Sequence, residues 1–202
     1  MKSLDEIFHD TLADKASGLH GYAPYYDSIF SKWRDQPISV LELGVAMGAS
    51  VEGWLRYFPN AQVTGVDGLT YISSNDRYMH FTGDVTQHDL LHTVGRTRGK
   101  FDIIVDDCSH RNADQILAFY DLWPFLNGGG IYCIEDIQPW FDSIHGPEYN
   151  GGWQNFLKTL LWDLNDHSEH YCGRPVPCHT ARIHSDIAKI EFTYGVMAVF
   201  KK

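Results

Sequence analysis

The sequence predicts an α/β domain, doubly wound around a mostly parallel sheet. Two observations carry that expectation. Short apolar runs alternate with segments whose apolar residues recur at helical spacing, the pattern of repeated βα units. Near the C-terminus, two alternating runs are separated by Tyr194-Gly195, the signature of an antiparallel hairpin at a sheet edge. Repeated βα units in one sheet require right-handed crossovers, which place helices on both faces.

The run at 38–43, ISVLEL, reads as the first strand. A glycine-bearing turn follows, then a helix through SVEGWLRYF that Pro59-Asn60 breaks. AQVTGVD at 61–67 and YMHFTGD at 78–84 read as further strands, and FDIIVDD at 101–107 is the strongest strand signal. A broad apolar face predicts a helix over 112–126, ended by Asn127 and three glycines. GIYCIED at 130–136 is another apolar strand ending in acids, and 153–164 reads as a helix. The tail forms the hairpin. A chain of 202 residues suits one domain, so 1–202 is read as a single unit.

Composition narrows the partners. A net charge of -10, with no cluster of Lys and Arg, argues against nucleic acid and against an anionic membrane surface. No apolar run is long enough to span a membrane, and the N-terminus lacks the apolar core of a signal peptide, so a cytoplasmic location is expected. Cys108, Cys133, Cys172 and Cys178 form no CxxC pair. The stretch 167–179 holds His167, His170, Cys172, Cys178 and His179, but its spacings match no familiar zinc pattern; a polar connection with reduced thiols is the simpler reading.

Ligands of such sheets bind beyond the carboxyl ends of the strands. Those ends here carry Glu42, Asp67, Asp84 and the pair Asp106-Asp107. Glu42 opens the stretch ELGVAMGAS, an E-x-G-x-x-x-G pattern with Gly44 and Gly48. A dinucleotide fingerprint starting at Gly44 needs glycines where Ala46 and Ala49 stand, so the usual pyrophosphate turn is missing. An acid at the start of the loop repels phosphate and attracts an ammonium or ribose hydroxyls. Asp67, 23 residues after Gly44, is placed to accept ribose hydroxyls. A nucleoside with a cationic amino-acid arm fits better than NAD.

At these residues the chain resembles the class I S-adenosylmethionine-dependent methyltransferases, which have a Rossmann-like sheet and a late antiparallel hairpin. The resemblance implies that the loop carrying Glu42, Gly44, Gly48 and Ser50 lies against the methionine and ribose of the cofactor. It also implies that Asp84 and Val85 lie near the adenine, and Asp106 near the methionyl amino group.

Asp107, Glu135 and Asp136 end what should be neighbouring strands. Carboxylates brought together raise one another's proton affinity unless a cation neutralises them. Hard oxygen donors suit Mg²⁺ or another divalent cation of that kind rather than zinc. His110, three residues beyond Asp107, is in reach to act as general base toward a hydroxyl bound by such an ion. VDDCSHRNADQ followed by FLNGGGIYCIEDI resembles the metal-dependent sugar O-methyltransferases of the macrocin and mycinamicin type. That resemblance implies that Asp107, Glu135 and Asp136 are metal ligands, that His110 is the base, with Asp107 beside it in catalysis, and that a sugar or other small acceptor is the substrate. The leader DKASGLHGYAPYYD resembles that family's as well, with Tyr22 and Lys15 closing over the cofactor and 1–36 forming a helical cap. Relatives often carry an additional N-terminal domain that this chain is expected to lack, which leaves a homo-oligomer open.

Blander readings stand beside these. Asp107 or Ser109 can cap the following helix, and Asp136 can cap a turn. Trp140, Phe141, Tyr149 and Trp153 form either a mobile wall toward the acceptor or a cover for the sheet edge, and the role of His145 is open. Two other functions compete: an oxygenase of the cephalosporin-hydroxylase type, which would want two His and one carboxylate around Fe²⁺, and a noncatalytic cofactor-binding subunit.

Overall fold

A computed structural model describes residues 1–141, 152–165 and 186–202. Helices α1 (Leu4–Thr11) and α2 (Ala23–Phe30) precede β1 (Ser39–Leu43), α3 (Ala49–Tyr57), β2 (Gln62–Asp67) and β3 (Tyr78–Thr82). Then come α4 (His88–Arg98), β4 (Phe101–Asp106), α5 (Asn112–Leu122), β5 (Leu126–Ile134), α6 (Trp153–Asn165), β6 (Ile187–Thr193) and β7 (Val196–Lys201). The seven strands form one sheet in the order β3-β2-β1-β4-β5-β7-β6. All pairs are parallel except β5 with β7 and β7 with β6. The doubly wound α/β sheet and its C-terminal hairpin are therefore present, with the two-residue turn at Tyr194-Gly195. No helix among the described residues is long and apolar enough to cross a membrane.

The period-two alternation of each strand divides the apolar residues between two cores. On β1, Val40 faces one core with α1, α2 and α3, where Phe8, Tyr26, Phe30, Trp54 and Phe58 pack ring against ring. Leu41 and Leu43 face the other, with Leu91 of α4, Phe119 of α5 and Phe156 of α6. Strand order reverses between β1 and β4: the chain leaves β1 toward β2 and β3, then returns to the other side of β1 as β4. The loops beyond these two strands diverge there and open a crevice.

Two boundaries differ from the sequence expectation. The fifth helix stops at Leu122, because Pro124 favours a short 3₁₀ turn over Trp123–Phe125. The three glycines after Asn127 do not end a helix; they lie within β5, where the pairing steps from Phe101↔Leu126 to Ile103↔Ile131 across a bulge. The N-terminal 36 residues contain α1 and α2. A capping box starts α1: Ser3 Oγ accepts from the Glu6 N–H at 3.2 Å and Glu6 Oε2 accepts from the Ser3 N–H at 2.7 Å. Between α1 and α2 the chain curls tightly, with His20 N–H donating to Asp14 O and Ala23 N–H to Lys15 O, both at 2.9 Å.

Arg77 fastens the end of α3. Its guanidinium donates to Leu55 O at 2.8 Å, Ala61 O at 2.9 Å and Phe58 O at 3.0 Å; Leu55 O is an end carbonyl that Pro59, having no N–H, cannot satisfy. Replacing Arg77 with Ala takes the guanidinium donor from Leu55 O and Ala61 O and should lower stability by about 1–3 kcal/mol; a urea midpoint within error of wild type would contradict that role.

Candidate active site at the carboxyl ends of the strands

Beyond β1, β2 and β4 lies a cleft of about 650 Å³, lined by Gly44, Ala46, Asp67, Asp84, Val85, Asp107, His110 and Asp136, with Asp14 and His20 from the N-terminal segment. Glycine is required at its base. Gly44 has φ +84°, and a Cβ there would stand 2.1 Å from the Asp107 carbonyl oxygen, so the ends of β1 and β4 approach too closely for a side chain.

Asp67 holds the loop that forms one wall. Its Oδ2 accepts from the Val45 and Ala46 N–H groups at 2.7 and 2.8 Å, and Oδ1 accepts from Leu69 N–H at 2.8 Å. Burial works against its ionisation, but the three backbone donors outweigh it and keep the carboxyl below its ordinary range. Asp84 is likewise held low by the N–H and hydroxyl of Thr86.

A buried cation lies under the cleft. Lys15 is 1% exposed, and its ammonium donates to Asp107 Oδ2 and, at 2.8 Å, to Glu135 Oε2, while Glu42 Oε1 lies 3.7 Å away. Burial works against its charge; Asp107, Glu135 and Glu42 reverse that and raise its pKa well above the ordinary value. Glu135 also accepts from the Tyr26 hydroxyl at 2.8 Å, and its own carbonyl is held by Gln115, which in turn accepts from the Trp140 indole.

Asp136 faces outward. Tyr22 donates to its Oδ1, burial and this contact both raising the phenol pKa so that the proton stays on Tyr22. His110 Nδ1 lies 3.3 Å from Asp136 Oδ2, without the alignment of a hydrogen bond and with no other partner. Ser109, His110 and Asp136 all have positive φ, at 49°, 52° and 51°. Left-handed backbone is uncommon outside glycine and costs free energy, and such residues gather at functional sites. These bends bring Asp107, His110 and Asp136 together: one ligand atom from each lies within 4.8 Å of the others.

Several expected positions are placed differently. Glu135 does not join this ligand group; it turns inward to Lys15 and Tyr26, because the buried ammonium offers it a partner. Glu42, Ser50 and Tyr22 are buried beneath the cleft surface, and Glu42 accepts from Ser50 Oγ at 2.8 Å. Asp106 points to the opposite face of the sheet, as alternation along β4 requires, and meets the Cys108 thiol at 3.1 Å and the Tyr132 hydroxyl at 3.2 Å. Gly48 caps α3 and makes room for the ring of Tyr71. Neither Asp107 nor Ser109 caps α5, which starts after Arg111 with no side-chain cap. Trp140 is buried, whereas Phe141 is exposed and lies tilted against the Trp153 ring, with centroids 4.6 Å apart. Tyr149, His145 and the stretch 167–179 lie outside the described residues. Two polar residues of the site that sequence reasoning missed are Asp14 and His20, the latter 3.9 Å from Asp136; their only signal was their position in the leader.

Two variants test this arrangement. Lys15→Met leaves buried carboxylates unpaired and should cost roughly 3–5 kcal/mol; since burial raises the Glu135 pKa, protonation should restore part of the loss, making the deficit smaller at pH 5 than at pH 8. An equal deficit at both values would contradict the pairing. Asp106 is pushed up to about 7 by burial, so between its ordinary range and that value the native state keeps a proton the unfolded chain releases, and stability falls as pH rises. Asp106→Asn should flatten that slope in melting temperature against pH.

Comparison with known proteins places this geometry in context. No family model matches the chain. It is 33% identical over 179 residues to mycinamicin VI 2''-O-methyltransferase of Micromonospora griseorubida, covering 82% of this chain and 45% of that protein. A tetracenomycin rhamnosyl 2'-O-methyltransferase of Streptomyces olivaceus is 33% identical over 175 residues, covering 78% and 45%. Among solved structures, the mycinamycin-pathway methyltransferase MycE in complex with Mg and SAH superposes with a TM-score of 0.85 at 28% identity, covering 99% of this chain and 54% of that one. The chain spans about 45% of the length of these curated relatives.

Proposed function

The chain belongs to the class I S-adenosylmethionine-dependent methyltransferases and within them to the group of sugar O-methyltransferases just described, and on that premise we propose that it methylates a hydroxyl of a sugar or another glycosylated small molecule, using S-adenosylmethionine and a divalent cation, Mg²⁺ foremost. The observation that carries the reading is the convergence of Asp107, His110 and Asp136 at the mouth of a cleft whose other wall is the Asp67-braced loop. One histidine with two carboxylates fits methyl transfer better than an oxygenase, which calls for the inverse ratio.

The donor set fits a hard cation. Asp107 and Asp136 would hold it, since both carboxylates reach the cleft and a ligand atom of each lies within 4.8 Å of the other. The ion would supply positive charge to a bound hydroxyl, and the sulfonium cofactor an electrophilic methyl group. The remaining work falls to this chain. Asp136, facing Nδ1 of His110, favours the tautomer with the proton on that nitrogen, which leaves Nε2 to accept the proton of the acceptor hydroxyl. Tyr22, kept protonated, fixes Asp136 in place. Lys15 offsets the charge of Glu135 and Glu42 and keeps the carboxylates from repelling one another. Asp67 and Asp84 line the opposite end of the cleft, where the nucleoside would lie. Ile137 and Gln138, just beyond Asp136, border a second hollow with the exposed Phe141, Phe192 and Tyr194, a flat apolar shelf suited to the acceptor's ring face.

The reading is tested by methyl transfer to a panel of glycosides with and without EDTA. Replacing His110 with Ala should lower turnover by about 10²–10⁴-fold while calorimetric affinity for S-adenosylhomocysteine stays within twofold. Full turnover in that variant would remove the histidine from the chemistry.

A further inference from the structure

A second group of metal-capable side chains lies away from the cleft, on the helices that cover the other core. His88 and His92 are one turn apart on α4, so both present to the same side, toward Asp121 near the end of α5. His88 Nδ1 is 2.6 Å from Asp121 Oδ1, and His92 Nε2 is 3.8 Å from the same oxygen. The two imidazoles lie with centroids 3.9 Å apart, and Phe125 meets the edge of His92 at 5.4 Å. One ligand atom from each of the three residues lies within 4.8 Å of the others. The second observation is independent: Asp121 Oδ2 is buried and has no hydrogen-bond partner. A simple His–Asp contact accounts for Oδ1 and leaves that oxygen unexplained, whereas a cation shared unevenly by both carboxylate oxygens answers for it.

The geometry points to a structural site for one zinc-class cation on His88, His92 and Asp121, joining α4 to α5. Two imidazoles and one carboxylate select Zn²⁺ and its late first-row neighbours over Mg²⁺. Ligands about 2.0–2.2 Å from a tetrahedral ion lie about 3.3 Å from one another, and the two separations from Asp121, 2.6 and 3.8 Å, fall on either side of that value. His88 is 62% exposed, so it has freedom to adjust and leaves the fourth position to water. The site does not depend on the methyl-transfer reading, since none of its residues borders the cleft.

The experiment uses the full chain, stripped with EDTA and titrated with Zn²⁺ against a chromophoric chelator in millimolar Mg²⁺. One equivalent should bind to wild type and to Asp107→Asn. Its affinity should fall at least a hundredfold in the double variant His88→Gln/His92→Gln and at least tenfold in Asp121→Asn, and zinc should raise the melting temperature of wild type but not of the double variant. Circular dichroism of the metal-free forms, with His92→Gln alone as a milder substitution, separates lost binding from lost folding. Zinc affinity within twofold of wild type in the double variant overturns the site, as does the absence of binding by wild type. Unchanged affinity in Asp121→Asn reduces the cluster to two surface imidazoles and overturns it equally.

Discussion

A single ammonium organises the functional end of this molecule. Lys15 enters the core from the loop between α1 and α2 and meets Glu135 and Asp107, with Glu42 close by. An isolated charge in such a place is costly, and so is each carboxylate; together they offset one another's desolvation. The consequence is positional. The N-terminal segment is drawn onto the ends of β1, β4 and β5, which carries Asp14, His20 and Tyr22 to the rim and floor of the cleft. The same ammonium sorts the acids: Glu42 and Glu135 are committed inward, Asp107 is shared, and Asp136 is left to face the cleft.

Backbone conformation does the rest. A strand that ran straight past its last residue would carry its side chains away from its neighbour's. After β4 the chain turns through two consecutive left-handed residues, Ser109 and His110, and after β5 through a third, Asp136. His and Asp tolerate that region better than most side chains, so the bends are compatible with residues that also carry chemistry. The switch in strand order beside β1 supplies the opening, and the absence of a side chain at Gly44 supplies the close contact that closes its floor. Strain and close approach thus coincide where the donor atoms converge.

The two faces of the sheet are put to different uses. On the side of α1 to α3, aromatic packing anchors the segment that delivers Lys15. On the side of α4 to α6, the apolar core supports Asp106, whose carboxyl burial pushes up to about 7, and carries the outlying His88, His92 and Asp121 group on its covering helices. The likeness to the mycinamicin and tetracenomycin enzymes extends across most of this chain but only about 45% of theirs, and the cleft, its acids and its histidine all lie in this chain.

What the sequence by itself determined is the set of strands and their polarity. Short apolar runs at 38–43, 101–107 and 130–136 mark strands, and acids at or just past their ends must gather on one edge once the strands are parallel; Asp67, Asp84, Asp107 and Asp136 do so. The hairpin was legible too, because a two-residue turn with glycine has few other structural outcomes. Orientation about those strand ends was decided only by the tertiary structure. Asp106 and Asp107 are adjacent letters, yet one faces the far core and the other the cleft. Glu135 and Asp136 are adjacent as well, yet a lysine 120 residues away from Glu135 claims the first and leaves the second. Local periodicity fixes which atoms can reach an edge; which way a carboxylate turns depends on the counter-charge that a distant part of the chain brings to it, and that pairing has no local signature.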